Sequence, residues 1–390
     1  MNRKTLTLIL LSTLAFGLLS TIPAMAATDY KIVVYVKGGL VPGQFLEAAM
    51  EDISYVQWSV VLANLSDSDI MDADMLILIQ SEMEINFTTE EKDMIDAWFD
   101  ESGKTLWVVG DSDYSDQHKR INTANEVLET VESKLRLENC EATDASSMAD
   151  ASYRVYGDSA MCSDDVKYLV NGVTKALFHG PGIVIGYVGG EYYDLIETSI
   201  DGIHLIMTTS ENGTAVDEQP PAPEIHIGYK GYLPLMVLEQ YSNGNLLYVT
   251  ADSPFAHYTP MYKPELDNYD RYAVRNPQQG ATLFANIVDN SIRGKTESSM
   301  MELNSHISSL TADKTALTAD KTALTADKTA LTADKTALTA ENTALTADKT
   351  QLESDVEAAN GQVGTWQMYA GLAAILGIII GIFVGPMIKK

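Results

Sequence analysis

Ser112 lies in Gly110-Asp111-Ser112-Asp113-Tyr114, directly after the apolar run Thr105 to Val109. A serine hydroxyl leaving a strand can act as a nucleophile if a base stands beside it. His179 or His257 could supply that base, with an acid such as Asp252 behind it. Against this, the strained elbow of serine hydrolases uses a second Gly where this chain has Tyr114, and a serine after a strand also serves as a helix cap. The same stretch carries Asp111, Asp113 and Asp116, oxygen donors close enough in sequence to hold Ca²⁺, but without the Gly and distal Glu of a calcium loop. Downstream, Ser253-Pro254-Phe255-Ala256-His257-Tyr258 with Tyr262, Tyr269 and Tyr272 is aromatic and loop-like. At the strand ends of an α/β sheet it would line a ligand crevice, with Asp111, Asp113, His257 and Tyr258 as binding residues. The competing reading is plain aromatic packing of a long loop. No cofactor is implied, since Gly38-Gly39 and Gly180-Pro181-Gly182 are turns without a phosphate-loop context.

These residues need a frame, and the pattern around them supplies one. Lys31 to Val36 reads as a buried first strand, Gln44 to Asp52 as a helix, Tyr55 to Leu62 and Met75 to Ile79 as further strands. Thr88-Thr89-Glu90-Glu91 is a capping box that opens a helix with Met94, Ile95, Trp98 and Phe99 on one face. Thr105 to Val109 follows as a strand, and Ala124 to Leu137 as an amphipathic helix. Strands alternating with helices predict a parallel α/β sheet. After Cys140 the pattern turns to strands, at Ile183–Val188, Ile203–Thr208, Leu235–Leu238 and Leu246–Thr250, the last two joined by the hairpin signal Asn243-Gly244. Pro277 to Ile292 reads as a closing helix.

On these residues the region resembles the class I glutamine-amidotransferase-like superfamily, and within it an uncharacterised branch of archaeal and bacterial membrane-associated proteins, similar to gliding-motility transporter accessory proteins. The likeness rests on A-D-M-L-I-L-I, on T-T-E-E-K-D-M-I-D-A-W-F-D-E-S-G-K-T-L-W-V-V-G-D and on G-V-T-K-A-L-F-H-G-P-G. It implies a parallel-sheet, amidotransferase-like head. Enzymes of that superfamily carry a nucleophilic Cys on the turn after the strand ending here at Val109, where this chain has Gly110-Asp111-Ser112. No His-x-Glu pair follows either, so the resemblance does not imply glutamine hydrolysis.

Leucines at 303, 310, 317, 324, 331, 338, 345 and 352 recur every seventh residue, mostly within L-T-A-D-K-T-A. A seven-residue apolar repeat drifts against the helical turn and is absorbed by left-handed supercoiling. With Leu at position d, Lys314, Lys321, Lys328, Lys335, Asn342 and Lys349 fall at a, and Asp313, Asp320, Asp327 and Asp334 at g can pair with the lysines. The expectation is a coiled coil of modest stability, associating as a parallel homo-oligomer through Leu310, Leu317, Leu324, Leu331, Leu338, Asn342 and Leu345. An unstructured Thr-rich spacer is the alternative. A helix of about 60 residues would reach roughly 90 Å.

Met1 to Ala26 has the basic start, apolar run and Ala24-Met25-Ala26 site of a secretory signal peptide. Met368 to Ile388 is uncharged and apolar over about the 20 residues a bilayer needs, with Trp366 and Tyr369 at one edge and Lys389-Lys390 at the other. The expected layout is therefore a signal peptide (1–26), an extracellular α/β head (27–297), a heptad-repeat stalk (298–362), one transmembrane helix (366–388) and a cytoplasmic tail (389–390), in the plasma membrane.

The formal net charge is −28, and residues 27–297 hold 44 Asp+Glu against 17 Lys+Arg. Such a field repels nucleic acid and favours cations, cationic partners or solubility. Cys140 and Cys162, an even pair in an oxidising compartment, predict a disulfide. Asn64, Asn86 and Asn212 begin N-x-S/T sequons of a glycosylated surface protein. Function is expected to be non-enzymatic binding of a ligand or partner, with a structural role for a surface layer or transporter complex, or hydrolysis by Ser112 or a bound metal, as alternatives.

Overall fold

A computed structural model describes residues 29–38, 43–82, 84–255, 260–267 and 278–384, with side chains through 379. The predicted signal peptide Met1–Ala26, the candidate residues His257 and Tyr258, and Lys389-Lys390 lie outside the described residues. Two units are distinguished, Met1–Asn304 and Ser305–Lys390.

In the first unit β1 (Lys31–Lys37), α1 (Gly43–Asp52), β2 (Gln57–Val61), the single turn α2 (Asp67–Ile70), β3 (Met75–Gln80), α3 (Thr89–Phe99) and β4 (Thr105–Val109) alternate as the sequence pattern predicts. β3 is buried at every position, as befits a strand inside a parallel sheet. The capping box forms as expected: Thr88 Oγ1 accepts from the Glu91 amide, and the Glu91 carboxylate accepts from the Thr88 amide at 2.8 Å. Glu91 also reaches into the core, where it meets Lys37 Nζ at 2.8 Å and the Tyr35 hydroxyl.

The predicted helix Ala124–Leu137 is corrected. α4 runs His118–Thr130, and Leu135–Glu138 is a strand, β5. The helix stops because Glu132 takes a left-handed conformation (φ 53°). The Ser133 amide then bonds back to the Leu128 carbonyl at 2.8 Å and the Glu132 amide to that of Glu129, a Schellman termination. Leu135 and Leu137 continue the apolar spacing, so periodicity alone could not separate the two elements.

The chain continues through β6 (Glu141–Asp144), β7 (Arg154–Asp158), β8 (Lys175–His179), β9 (Ile183–Val188), β10 (Glu191–Tyr193), β11 (Ile203–Thr208), β12 (Gly213–Val216), β13 (Pro234–Gln240) and β14 (Leu246–Thr250), before α5 (Gly280–Val384). Nine strands form one sheet in the order β2-β1-β3-β4-β14-β13-β11-β7-β8. From β2 to β14 neighbouring strands are parallel, and from β14 to β8 antiparallel. The β13–β14 hairpin, turning through Asn243-Gly244, thus inserts β14 beside β4 and joins the two halves. β10-β9-β5 and β12-β6 make two small antiparallel sheets. Phe284 of α5 is fully buried and lies 5.4 Å from Trp107, 5.1 Å from Phe255 and 5.5 Å from Tyr262 between ring centres. The aromatic segment at Phe255 and Tyr262 therefore packs into the core.

Cys140 and Cys162 are free thiols, which corrects the predicted disulfide. Cys140 sits in the tight turn from β5 to β6, while Cys162 follows β7 and directs its Sγ to the Ser163 carbonyl at 3.7 Å. Both are buried, and burial pushes both thiols up, Cys162 to about 11.

In the second unit α5 is helical throughout the repeat, and its leucines are exposed, Leu331 at 71%. The repeat threonines bond their hydroxyls to the carbonyl four residues back, as Thr325 does to Lys321 at 2.8 Å and Thr329 to Thr325 at 2.9 Å. Low-propensity residues thereby satisfy their own polar groups along the helix. Among the described residues no helix is long and apolar enough to cross a membrane. The predicted span Met368–Ile388 lies only partly within them.

Candidate ligand-binding site

In open α/β sheets ligands bind beyond the carboxyl ends of the parallel strands, where connections part to opposite sides. Here that edge carries a cavity of about 660 Å³. β3 contributes Ile79 and Gln80, β4 leads into Gly110-Asp111-Ser112, and β14 leads into Asp252-Ser253. β6 adds Glu141 and Thr143, the β8 end adds His179 and Gly180, and α4 adds Arg120. Tyr114, Tyr153, Arg154 and Glu218 complete much of the wall.

Close backbone approach sets the floor. The turn Gly180-Pro181-Gly182 after β8 passes so near the β4 loop that a Cβ on Gly182 would stand 2.3 Å from the Asp111 carbonyl oxygen. At Gly180, with φ +59°, a Cβ would stand 3.6 Å from Glu141 Oε1 and 3.8 Å from Ser112 Oγ. Glycine keeps that side of the cavity open.

Asp111 accepts from Arg120 Nη1 at 2.6 Å and from the Ser112 amide at 2.8 Å. Its burial raises the carboxyl to about 6, with Arg120 pulling the other way. Arg120 also donates to the Ser81 carbonyl at 2.7 Å, tying α4 to the end of β3. Asp252 accepts from the main-chain amides of His179 and Ser253, both at 2.7 Å, and burial holds it well above the usual carboxylate range. Glu141 is raised to about 7, first by burial and then by the negative charges of Glu218, Asp113 and Asp111.

Ser112, Asp111, His179 and Asp252 are thus brought to one cavity, while His257, the other base candidate, lies outside the described residues. The Ser112 hydroxyl is fully buried, and its partners are the Gln117 side-chain oxygen at 3.5 Å and the Tyr114 amide at 3.4 Å. Neither accepts a proton as a base. Each Asp252 oxygen accepts from a main-chain amide, Oδ2 from His179 and Oδ1 from Ser253. His179 turns its ring edge-on to Tyr153 at 5.6 Å.

The three aspartates weighed as calcium ligands diverge. Asp111 faces Arg120, Asp113 accepts from the Glu218 and Gln219 amides at 2.8 and 2.9 Å, and Asp116 is exposed. Among the described residues no group of three or more His, Cys, Asp or Glu could hold a metal ion. Asn64, Asn86 and Asn212 are all exposed. Sequence reasoning missed Glu141, Arg120, Tyr153 and Glu218. Arg120 left one trace, because it occupies the buried helical face of Ala124, Val127 and Leu128. Glu141 left none, since long-range ties of β6, to β12 and from the Ala142 amide to the Pro181 carbonyl, place it at the cavity.

The fold and cavity define a mixed α/β protein with a pocket at the carboxyl edge of its parallel strands. No family model matches the chain, and no curated protein matches it. Among solved structures, the one described as the mmIFT52 N-terminal domain is similar over 67% of this chain and 97% of its own, at a TM-score of 0.43 and 10% identity. A Thermoplasma acidophilum protein assigned as a GMP synthase subunit is similar over 70% of this chain and 98% of its own, at a TM-score of 0.33 and 10% identity.

Proposed function

We propose that this is a single-pass surface protein whose amidotransferase-like head binds a ligand without catalysing a reaction, displayed outside the plasma membrane on a coiled-coil stalk. One observation carries the non-enzymatic reading. At the place where the resembling enzymes hold a nucleophilic Cys this chain has Ser112, whose hydroxyl contacts among the described residues are the Gln117 amide oxygen and the Tyr114 main-chain N–H. The 660 Å³ cavity, within the roughly 300–1,000 Å³ range of small-molecule pockets, supports ligand binding at the same edge. The basic, apolar start of the sequence and the run Met368–Ile388 before Lys389-Lys390 support the topology. The exposed leucine ladder supports self-association as a parallel homo-oligomer, and equally suits a structural partner such as a surface layer or transporter complex.

Two measurements test the reading. Purified full chain incubated with glutamine and with p-nitrophenyl esters should release neither ammonia nor nitrophenol. Turnover abolished by Ser112→Ala would overturn the non-enzymatic assignment. Protease added to intact cells should remove the head, whereas a protected head would reject the topology.

A further inference from the structure

Among the described residues four carboxyl groups line the cavity, from Asp111, Glu141, Glu218 and Asp252, against the two guanidinium groups of Arg120 and Arg154. Most of these charges are already engaged. Asp111 and Arg120 hold each other at 2.6 Å, Arg154 pairs with Asp150 at 2.7 Å, and Asp252 accepts from two main-chain amides. Glu218 sits exposed, held there because Asp113 grips its main-chain amide and the next.

Glu141 is different. The residue is 7% exposed, and its carboxyl has no hydrogen-bond partner among the described residues. Its Oε1 and Ser112 Oγ both face the side left open by Gly180, 3.6 and 3.8 Å from where a Cβ there would stand. A buried carboxylate without a donor is costly, and three neighbouring carboxylates add repulsion. The cavity therefore presents one acid whose charge is completed by nothing in the described protein. At its rim stands Tyr114, 56% exposed, whereas the Tyr153 ring is already covered by the Arg154 guanidinium at 4.6 Å. An acid at depth and an aromatic ring at the mouth form the chemistry that holds an ammonium group, the acid by charge-assisted hydrogen bonds and the ring by cation–π attraction.

We propose that the cavity binds a small organic ammonium ligand, with the Glu141 carboxylate as its counter-ion and Tyr114 as a π face at the entrance. This rests on the reading that the cavity is a ligand site, and adds the ligand's chemical class. A divalent metal wants six or more oxygens, which one carboxylate does not supply. An anionic ligand would add to the unpaired negative charge. Binding also has a proton signature. Glu141 is partly neutral near pH 7 when the cavity is empty, so an arriving ammonium releases the proton that it displaces.

The test uses the full chain in detergent micelles, titrated calorimetrically with n-butylammonium and putrescine. Succinate serves as the anionic probe and n-butanol as the neutral one. The amines should bind one per chain, with affinity lowered about tenfold or more by Glu141→Gln, which keeps the shape and removes the charge. Tyr114→Ala, an exposed position that leaves the core intact, should weaken binding by about threefold. Release should be about one proton per amine near pH 6 and close to none near pH 8.5. Unchanged affinity in Glu141→Gln, or no proton release at pH 6, would overturn the assignment. If succinate or butanol binds, is blocked by cavity-filling Thr143→Trp, and the amines do not bind, the ammonium inference fails while the ligand site stands. If no probe of any charge binds, both fail.

Discussion

His226 is buried between two carboxylates, and its removal has a pH signature that can be worked out in advance. Its Nδ1 meets Glu138 Oε2, Nε2 lies 3.5 Å from Asp194 Oδ2, and the side chains of His226 and Glu138 are inaccessible. Glu138 also accepts from the Ile225 and His226 amides, which pins the loop before β13 to the end of β5. Burial opposes the imidazolium, yet Asp194 and Glu138 outweigh it and raise His226 from 6.5 to about 9. A folded-state pKa above the unfolded one contributes stability that is fully present below about pH 6.5 and is lost as pH rises through about 9. The shift from 6.5 to about 9, at roughly 1.4 kcal/mol per pH unit, corresponds to about 3 kcal/mol. His226→Gln keeps a polar amide in the gap and removes the charge. In urea unfolding followed by tryptophan fluorescence, parent minus variant should be about 3 kcal/mol at pH 6 and should shrink towards zero by about pH 9.5. A difference that does not change with pH would refute the ionic account and leave only packing. The result also bears on the cavity, because Glu138 lies three residues before Glu141 and anchors the same turn.

Other expectations are simpler to check. Alkylation of denatured, unreduced protein should label two thiols per chain, since Cys140 and Cys162 are separate and free, and no labelling would restore the bond. Phe284→Ala empties the centre of an aromatic cluster and should cost about 3–5 kcal/mol by the same urea assay; a loss under about 1 kcal/mol would mean the cluster is loosely packed. In membranes, Leu331→Cys should cross-link efficiently and Ala333→Cys poorly, because only the first lies on the leucine seam, and equal efficiency would remove the proposed oligomer.

Much of the layout was legible along the chain because it rests on short-range periodicity. The alternation of β1 to β4 with their helices follows from β-branched runs and the Thr88–Glu91 capping box, both local signals. The helical repeat follows from its leucine spacing, and its polar threonines are satisfied within one turn. The hairpin at Asn243-Gly244 was equally local, but its placement was not: β14 pairs with β4, more than a hundred residues earlier, and this joins the parallel and antiparallel halves. The end of α4 was misread because Leu135 and Leu137 keep the apolar spacing, while the left-handed turn at Glu132 uses a residue with no special preference for it. Free cysteines were misread because parity and compartment say nothing of where the fold places each thiol, Cys140 between β5 and β6 and Cys162 after β7. For the cavity, sequence alone singled out Asp111, Ser112, His179 and Asp252. Tertiary structure set their partners, by giving Asp111 to Arg120 and Asp252 to main-chain amides, and by bringing Glu141 into the same cavity. Charge pairing between distant segments is a property of three-dimensional proximity, and no spacing rule along the chain encodes it.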